Sequence, residues 1–240
     1  DPRDLHSFPT RRSSDLEANI REGDGTGYIS IPVDDARLSV NGDTPAGSEA
    51  NVSIRSGQNW VVLGIKDLFS YVPVSSAGQD VTITSATLHL YKYNTGTSAN
   101  QVFINRLTSD WLYDSAGQSE ADVTWQHADK SGDVHWASGN FSSADWDTSV
   151  TASSYWTDVY GGPVDVDVTD VLQDVYDADA NYGLVISTDA TANTLSFRAS
   201  EHATISYRPT LEVHYSYGLA TPMHTLEVDG GSGDGYYWEG

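Results

Sequence analysis

The chain has 240 residues with 34 acids against 12 bases, a formal net charge of −22, 38% hydrophobic residues and no cysteine. That balance argues against unaided binding to nucleic acid or an anionic membrane, because phosphate contacts need clustered Lys and Arg. The missing thiols remove disulfides, thiolate nucleophiles and Cys-ligated zinc, and no run approaches the roughly eighteen apolar residues of a membrane span.

The first stretch, RDLHSFPTRRSSDL at residues 3–16, holds three of the basic residues and has no period of 2 or 3.6. It also lacks the apolar run and small-residue cleavage site of a secretory signal. Residues 7–15 back-translate to TCT-TTC-CCT-ACA-CGA-CGC-TCT-TCC-GAT, which resembles a common sequencing-library adapter. Residues 1–16 are therefore read as translated adapter and left out of the fold; a natural basic arm is the other reading.

Beyond it, about 220 residues suffice for one large β domain. Asp outnumbers Glu by 26 to 8, which favours turns over helices. GYISIPVDDARLSV predicts a strand through Tyr28, Ile29, Ile31 and Val33, then a second through Ala36, Leu38 and Val40. NWVVLGIKDL, with Leu63, Ile65 and Leu68, has the apolar continuity of a strand buried on both faces. DVTITSATLHLYKY alternates through Val81 and Ile83, then through Ala86, Leu88 and Leu90. QVFINRL follows, and in GPVDVDVTDV the residues Val164, Val166 and Val168 face one way while Asp165 and Asp167 face the other. YGLVISTD, TLSFRAS and PTLEVHYSY complete some nine strands, which predict an all-β, jelly-roll-like antiparallel β-sandwich.

One short helix interrupts the series. Thr169 is its expected N-cap, and Val171, Leu172, Val175 and Tyr176 sit at helical spacing, so it is expected to plug one end of the sandwich. Residues 125–163 form a long stretch rich in Trp, Asp, Ser and Gly, of the kind that is either functional or packed by its own side chains. After Tyr217, HTLEVDGGSGDGYYWEG resembles the opening of a Gly-rich bacterial surface repeat. The expected organisation is thus residues 1–16 adapter, 17–217 β-sandwich, and 218–240 linker and repeat start, within a larger exoprotein.

DAR at 35–37, VTW at 123–125, DVTDV at 167–171, NYGL at 181–184, and FRASEH with RPTLEVHY between residues 197 and 215 together resemble the DNRLRE domain family. That family overlaps disaggregatase-related repeats and an alginate-binding family of carbohydrate-binding modules. The resemblance spans about residues 28–217. It implies a jelly-roll accessory module on secreted polysaccharide-degrading enzymes or surface proteins.

Alginate would need Lys and Arg facing its carboxylates, yet only three Lys and six Arg remain outside the adapter, and Arg37, Arg198 and Arg208 lie inside family-like motifs. A neutral plant or algal glycan, or a calcium-bridged one, is at least as good a fit. Pyranose rings stack on indole and phenol faces, so the loop aromatics Trp111, Tyr113, Trp146, Trp156 and Tyr160 are the expected ligand-binding set. Trp125 and Trp136 are expected to pack.

For a structural calcium ion, Ca2+, the candidates are Asp34 and Asp35, and the DADANYG loop with Asp177 and Asp179. That loop departs from an EF-hand, since Gly183 is its seventh position and Thr188 its twelfth. No elbow serine or zinc helix is present. YKYN at 91–94 resembles one strand motif of jelly-roll uronate lyases, but the companion motifs are missing. The expectation is a secreted or cell-surface, non-catalytic polysaccharide-binding module that works beside other domains of its parent chain. A structural spacer without a glycan site is the alternative.

Overall fold

The structure is a computed structural model; the residues it describes are 16–20, 33–65, 68–72, 81–93, 100–111, 122–156 and 160–217. The tail beyond 217 lies outside them, as do residues 1–15 of the adapter-like segment 1–16, whose last residue Leu16 opens the first strand, and residues 28–32 of the expected strand through Val33, which itself opens the second.

The expected β-sandwich forms, and every pairing between its described strands is antiparallel. In chain order the strands are β1 (Leu16–Ile20), β2 (Val33–Ser39), β3 (Asn51–Ile54), β4 (Asn59–Ile65), β5 (Val81–Tyr91), β6 (Gln101–Arg106) and β7 (His127–Asp129). They continue with β8 (Val134–His135), β9 (Ala152–Tyr155), β10 (Pro163–Asp167), β11 (Leu184–Thr188), β12 (Leu195–Arg198) and β13 (Thr210–Tyr217). One large sheet runs β1-β13-β5-β10 and the other β2-β4-β11-β6-β9, while β12-β3 and β7-β8 form two small ribbons.

Side-chain alternation assigns the faces. On β5, Ala86, Leu88 and Leu90 point into the sandwich, and on β10 Val164 and Val166 do the same while Asp165 and Asp167 face out. The step from Ile83 to Ala86 breaks the period of two. In the structure it is a bulge: β13 residues His214 and Tyr215 pair with Ser85 and Ile83, leaving Thr84 as the extra residue. An inserted residue resets which face each later side chain takes.

The second sheet is buried on both sides, as the run in β4 predicts. Val61, Leu63, Ile65, Ile104, Leu184 and Ile186 join the sandwich interior, whereas Ala36, Leu38, Val62 and Val185 face outward into a second cluster with Leu107, Trp111, Val123, Trp136 and Phe141. The Trp-rich stretch thus folds back as a cover over the outer face of that sheet. A fully buried large apolar side chain contributes about 1.5–3 kcal/mol, so each layer is held by its own interior.

The helix spans Thr169–Asp177, with Val171, Leu172, Val175 and Tyr176 buried in the main core. Its start corrects the expectation of a Thr169 cap. Thr169 is already helical, and Asp167 Oδ1 accepts its N–H at 3.0 Å and its hydroxyl at 2.6 Å. The Thr169 hydroxyl oxygen meanwhile accepts the Ala86 N–H at 2.9 Å, tying the helix to β5. Arg106 locks the other side, donating to Asp174 at 2.6 Å and to Asp147 at 3.0 Å while only 12% exposed. No described helix is long and apolar enough to cross a membrane.

Candidate functional site

Of the aromatic side chains expected to meet sugar, most are structural. Trp156 is 0% exposed in the main core. Trp111 is 1% exposed and donates its Nε1–H to the Tyr182 carbonyl at 2.8 Å. Both correct the expectation of stacking faces, because neither ring reaches solvent. Trp146 is half-buried and leans on Phe141 at 5.1 Å between ring centroids. Trp136 packs as expected, 2% exposed, with its Nε1–H on the Thr124 carbonyl at 2.8 Å. Half-buried Trp125 stacks on Trp60 of β4 at 5.2 Å. Tyr113 lies outside the described residues, and Tyr160 is 66% exposed.

The acids proposed for calcium also separate. Asp35 is fully buried, and its Oδ2 accepts the Ser200 N–H at 2.6 Å, tying the segment after β12 to β2. Asp34 pairs with Gly64 in the backbone register, and its side chain is outside the described set. DADANYG forms the turn from the helix to β11. The Ala178 N–H bonds the Asp174 carbonyl, the Asp179 N–H bonds the Tyr176 carbonyl with φ of 49° at Asp179, and Asn181 donates to the Ile65 carbonyl. Gly183 has φ of 87° and rests on the Leu63 carbonyl oxygen, where a Cβ would collide. Asp177 and Asp179 are exposed, and Asp177 accepts from Gln173 at 2.9 Å. Among the described residues Asp35, Asp177 and Asp179 do not converge within ligand distance.

A different aromatic group assembles where β5 ends. Leu90 turns inward and Tyr91 outward; the chain then crosses to the small ribbon, with Lys92 bridging Phe197 and the Tyr93 N–H bonding the Ser196 carbonyl at 2.8 Å. Tyr91 stacks on Tyr207 at 3.9 Å, and His202 lies 5.7 Å from the Tyr207 ring. Tyr93 is 41% exposed, with the Arg198 guanidinium 4.4 Å above its ring. Arg198 in turn donates to Asn51 at 2.6 Å, and Arg208 donates to the His202 carbonyl at 2.9 Å. The loop that carries Tyr160 lies alongside, since Gly162 accepts the Lys92 N–H at 2.9 Å. The Tyr207 hydroxyl is held above its ordinary pKa, first by its hydrogen bond with Tyr91, with Arg198 pulling the other way. The Tyr207 phenol therefore keeps its proton at ordinary pH and serves as a donor or acceptor.

Two further places carry polar chemistry. A cleft of about 480 Å³ lies between the β5 bulge, β9 and the helix start, lined by Thr84, Ser85, Thr151, Ser153, Asp167 and Asp170 among others, with no aromatic ring in its lining. The hairpin β7–β8 brings His127, Asp133 and His135 together. The two histidines lie eight positions apart in the sequence, and the local sign that they meet is Ser131-Gly132-Asp133, a turn tripeptide between the two short strands that carry them.

No family model matches the chain, and no curated protein matches it.

Proposed function

We propose that the chain is a non-catalytic carbohydrate-binding module of a secreted multidomain protein, of the DNRLRE type, that holds its parent on a polysaccharide. The observation that carries this reading is the tyrosine end: Tyr93 and Tyr160 expose their rings beside the stacked Tyr91–Tyr207 pair and Arg198. Sugar C–H faces would stack on the two exposed rings. The phenol hydroxyls and His202 would bond sugar hydroxyls. Among the described residues Arg37 is paired with Glu49, and Arg198 and Arg208 are committed to the Asn51 side chain and the His202 carbonyl. A net charge of −22 repels polyuronates. A neutral plant or algal glycan is therefore the ligand this end fits best.

The spacer reading draws on one observation, the burial of Trp111 and Trp156. Affinity electrophoresis of the full chain through alginate, pectin, xylan, β-glucan and mannan gels, each with calcium or EDTA, separates the two. Retardation by one polymer that disappears in Tyr93→Ala or Tyr160→Ala establishes the module and its ligand class. Equal migration in every gel leaves the spacer, and retardation only by alginate with calcium replaces the neutral ligand with a calcium-bridged uronate.

A further inference from the structure

The hairpin β7–β8 carries a site that owes nothing to the glycan reading. His127 and His135 are direct cross-strand partners, with ring centroids 4.3 Å apart. Between them the chain turns through Asp133, whose φ of 55° is unusual for a residue with a side chain. That turn sets Asp133 Oδ1 at 3.5 Å from His127 Nε2 and 3.7 Å from His135 Nε2. All three donor atoms lie within 4.8 Å of one another.

The opposite ring nitrogens are also engaged. His135 Nδ1 lies 3.0 Å from the Gln126 carbonyl, an acceptor only, so Nδ1 carries the proton and Nε2 presents its lone pair. His127 Nδ1 lies 3.2 Å from Asp43 Oδ1, which selects the same tautomer. Asp43 is fixed by Lys130, which donates to its Oδ2 at 2.7 Å, and by the Thr124 hydroxyl. An oxygen acceptor behind each imidazole is the usual support for histidine metal ligands.

We propose that His127, His135 and Asp133 bind a divalent first-row transition ion, with zinc the first to test, through the two Nε2 atoms and a carboxylate oxygen. Bonds of 2.0–2.2 Å in a tetrahedron place donor atoms about 3.3–3.6 Å apart, close to the 3.5 and 3.7 Å already present between Asp133 and the two histidines. Two imidazoles disfavour calcium and magnesium, which take oxygen. Asp133 is 87% exposed, so the ion reaches the site from solvent and water completes its shell. Binding would pin the hairpin on the segment that carries Asp43.

Sheet residues His89, Glu212 and His214 supply the natural control. There the histidines sit on different oxygens of Glu212, at 3.6 and 2.9 Å, and His89 Nδ1 bonds Asp165. Isothermal titration of the chelator-treated full chain with zinc chloride, and separately with calcium chloride, is the test. The expected result is one zinc ion per chain, weakened at least about tenfold in His135→Ala and in Asp133→Asn, weakened about tenfold in Asp43→Asn, and unchanged in His214→Ala. The two hairpin substitutions fall on exposed side chains, and matching thermal melts would show intact folds. Imidazole nitrogen NMR gives a second readout, with zinc shifting Nε2 of both histidines while Nδ1 keeps its proton. The absence of saturable zinc binding, unchanged affinity in both hairpin variants, or a loss in His214→Ala instead would overturn the assignment.

Discussion

Two regions of this molecule are rich in aromatic rings and use them in opposite ways. Over the outer face of the second sheet, Trp111, Trp136 and Phe141 are buried, and the two indole N–H groups are spent on the carbonyls of Tyr182 and Thr124. At the end of β5, Tyr93 and Tyr160 keep their faces in water, and Tyr91 with Tyr207 forms a half-buried stack whose hydroxyls bond each other. The comparison teaches that aromatic abundance marks a packing problem as readily as a ligand. A long segment with only a few short strands must supply its own core to stay folded, and the tryptophans do that here.

Substitutions at the two kinds of site should separate cleanly. Trp156→Ala, in the main core, is expected to cost about 3–5 kcal/mol in chemical denaturation, with any change in gel retardation following from unfolding alone. Arg106→Leu should cost about 2–3 kcal/mol, because Asp147 and Asp174 both lose a charged hydrogen-bond donor. Tyr160→Ala should shift stability by no more than about 0.5 kcal/mol while abolishing retardation. A stability loss as large as that of Trp156→Ala would show that the exposed tyrosines are structural too, and would erase the distinction.

The smallest effect expected is a pH dependence at the helix start. Hydrogen bonds from the Thr169 side chain, then from its backbone N–H, hold the Asp167 carboxyl below its ordinary value of 3.8 against a smaller opposing effect of burial. A pKa lowered on folding contributes stability that is present above the unfolded value and lost as pH falls through the folded one. The melting-temperature gap between the wild-type chain and Asp167→Asn should therefore be widest near about pH 6 and narrow below about pH 4. A gap that stays constant down to about pH 2 would remove Asp167 from the acid response.

The strands were legible because burial on a sheet repeats every two residues: Val164, Val166 and Val168 announce β10, whereas the bulge between Ile83 and Ala86 emerged only from the pairing with β13. The helix was legible for the same reason, with a period of 3.6. Its start was not, because the N-cap position falls on Val168 with no side-chain cap, and the hydroxyl of Thr169 is turned instead to the Ala86 N–H of β5. The tryptophans misled because loop residues carry no periodicity, so nothing local says that Trp156 passes into the main core beside β9 while Trp146 stops halfway. The tyrosine end joins residues 91–93, 160, 198 and 202–208, and the metal cluster depends on a hairpin register. Both are products of chain crossing rather than of local pattern.

The pairing of β1 with β13 bears on how this domain carries load. Leu16 lies opposite Tyr215 and the strands run antiparallel, so the chain arrives and departs at one corner of the first sheet. Tension between the residues flanking that corner acts across the ladder rather than along it, and the hydrogen bonds open one after another like a zipper.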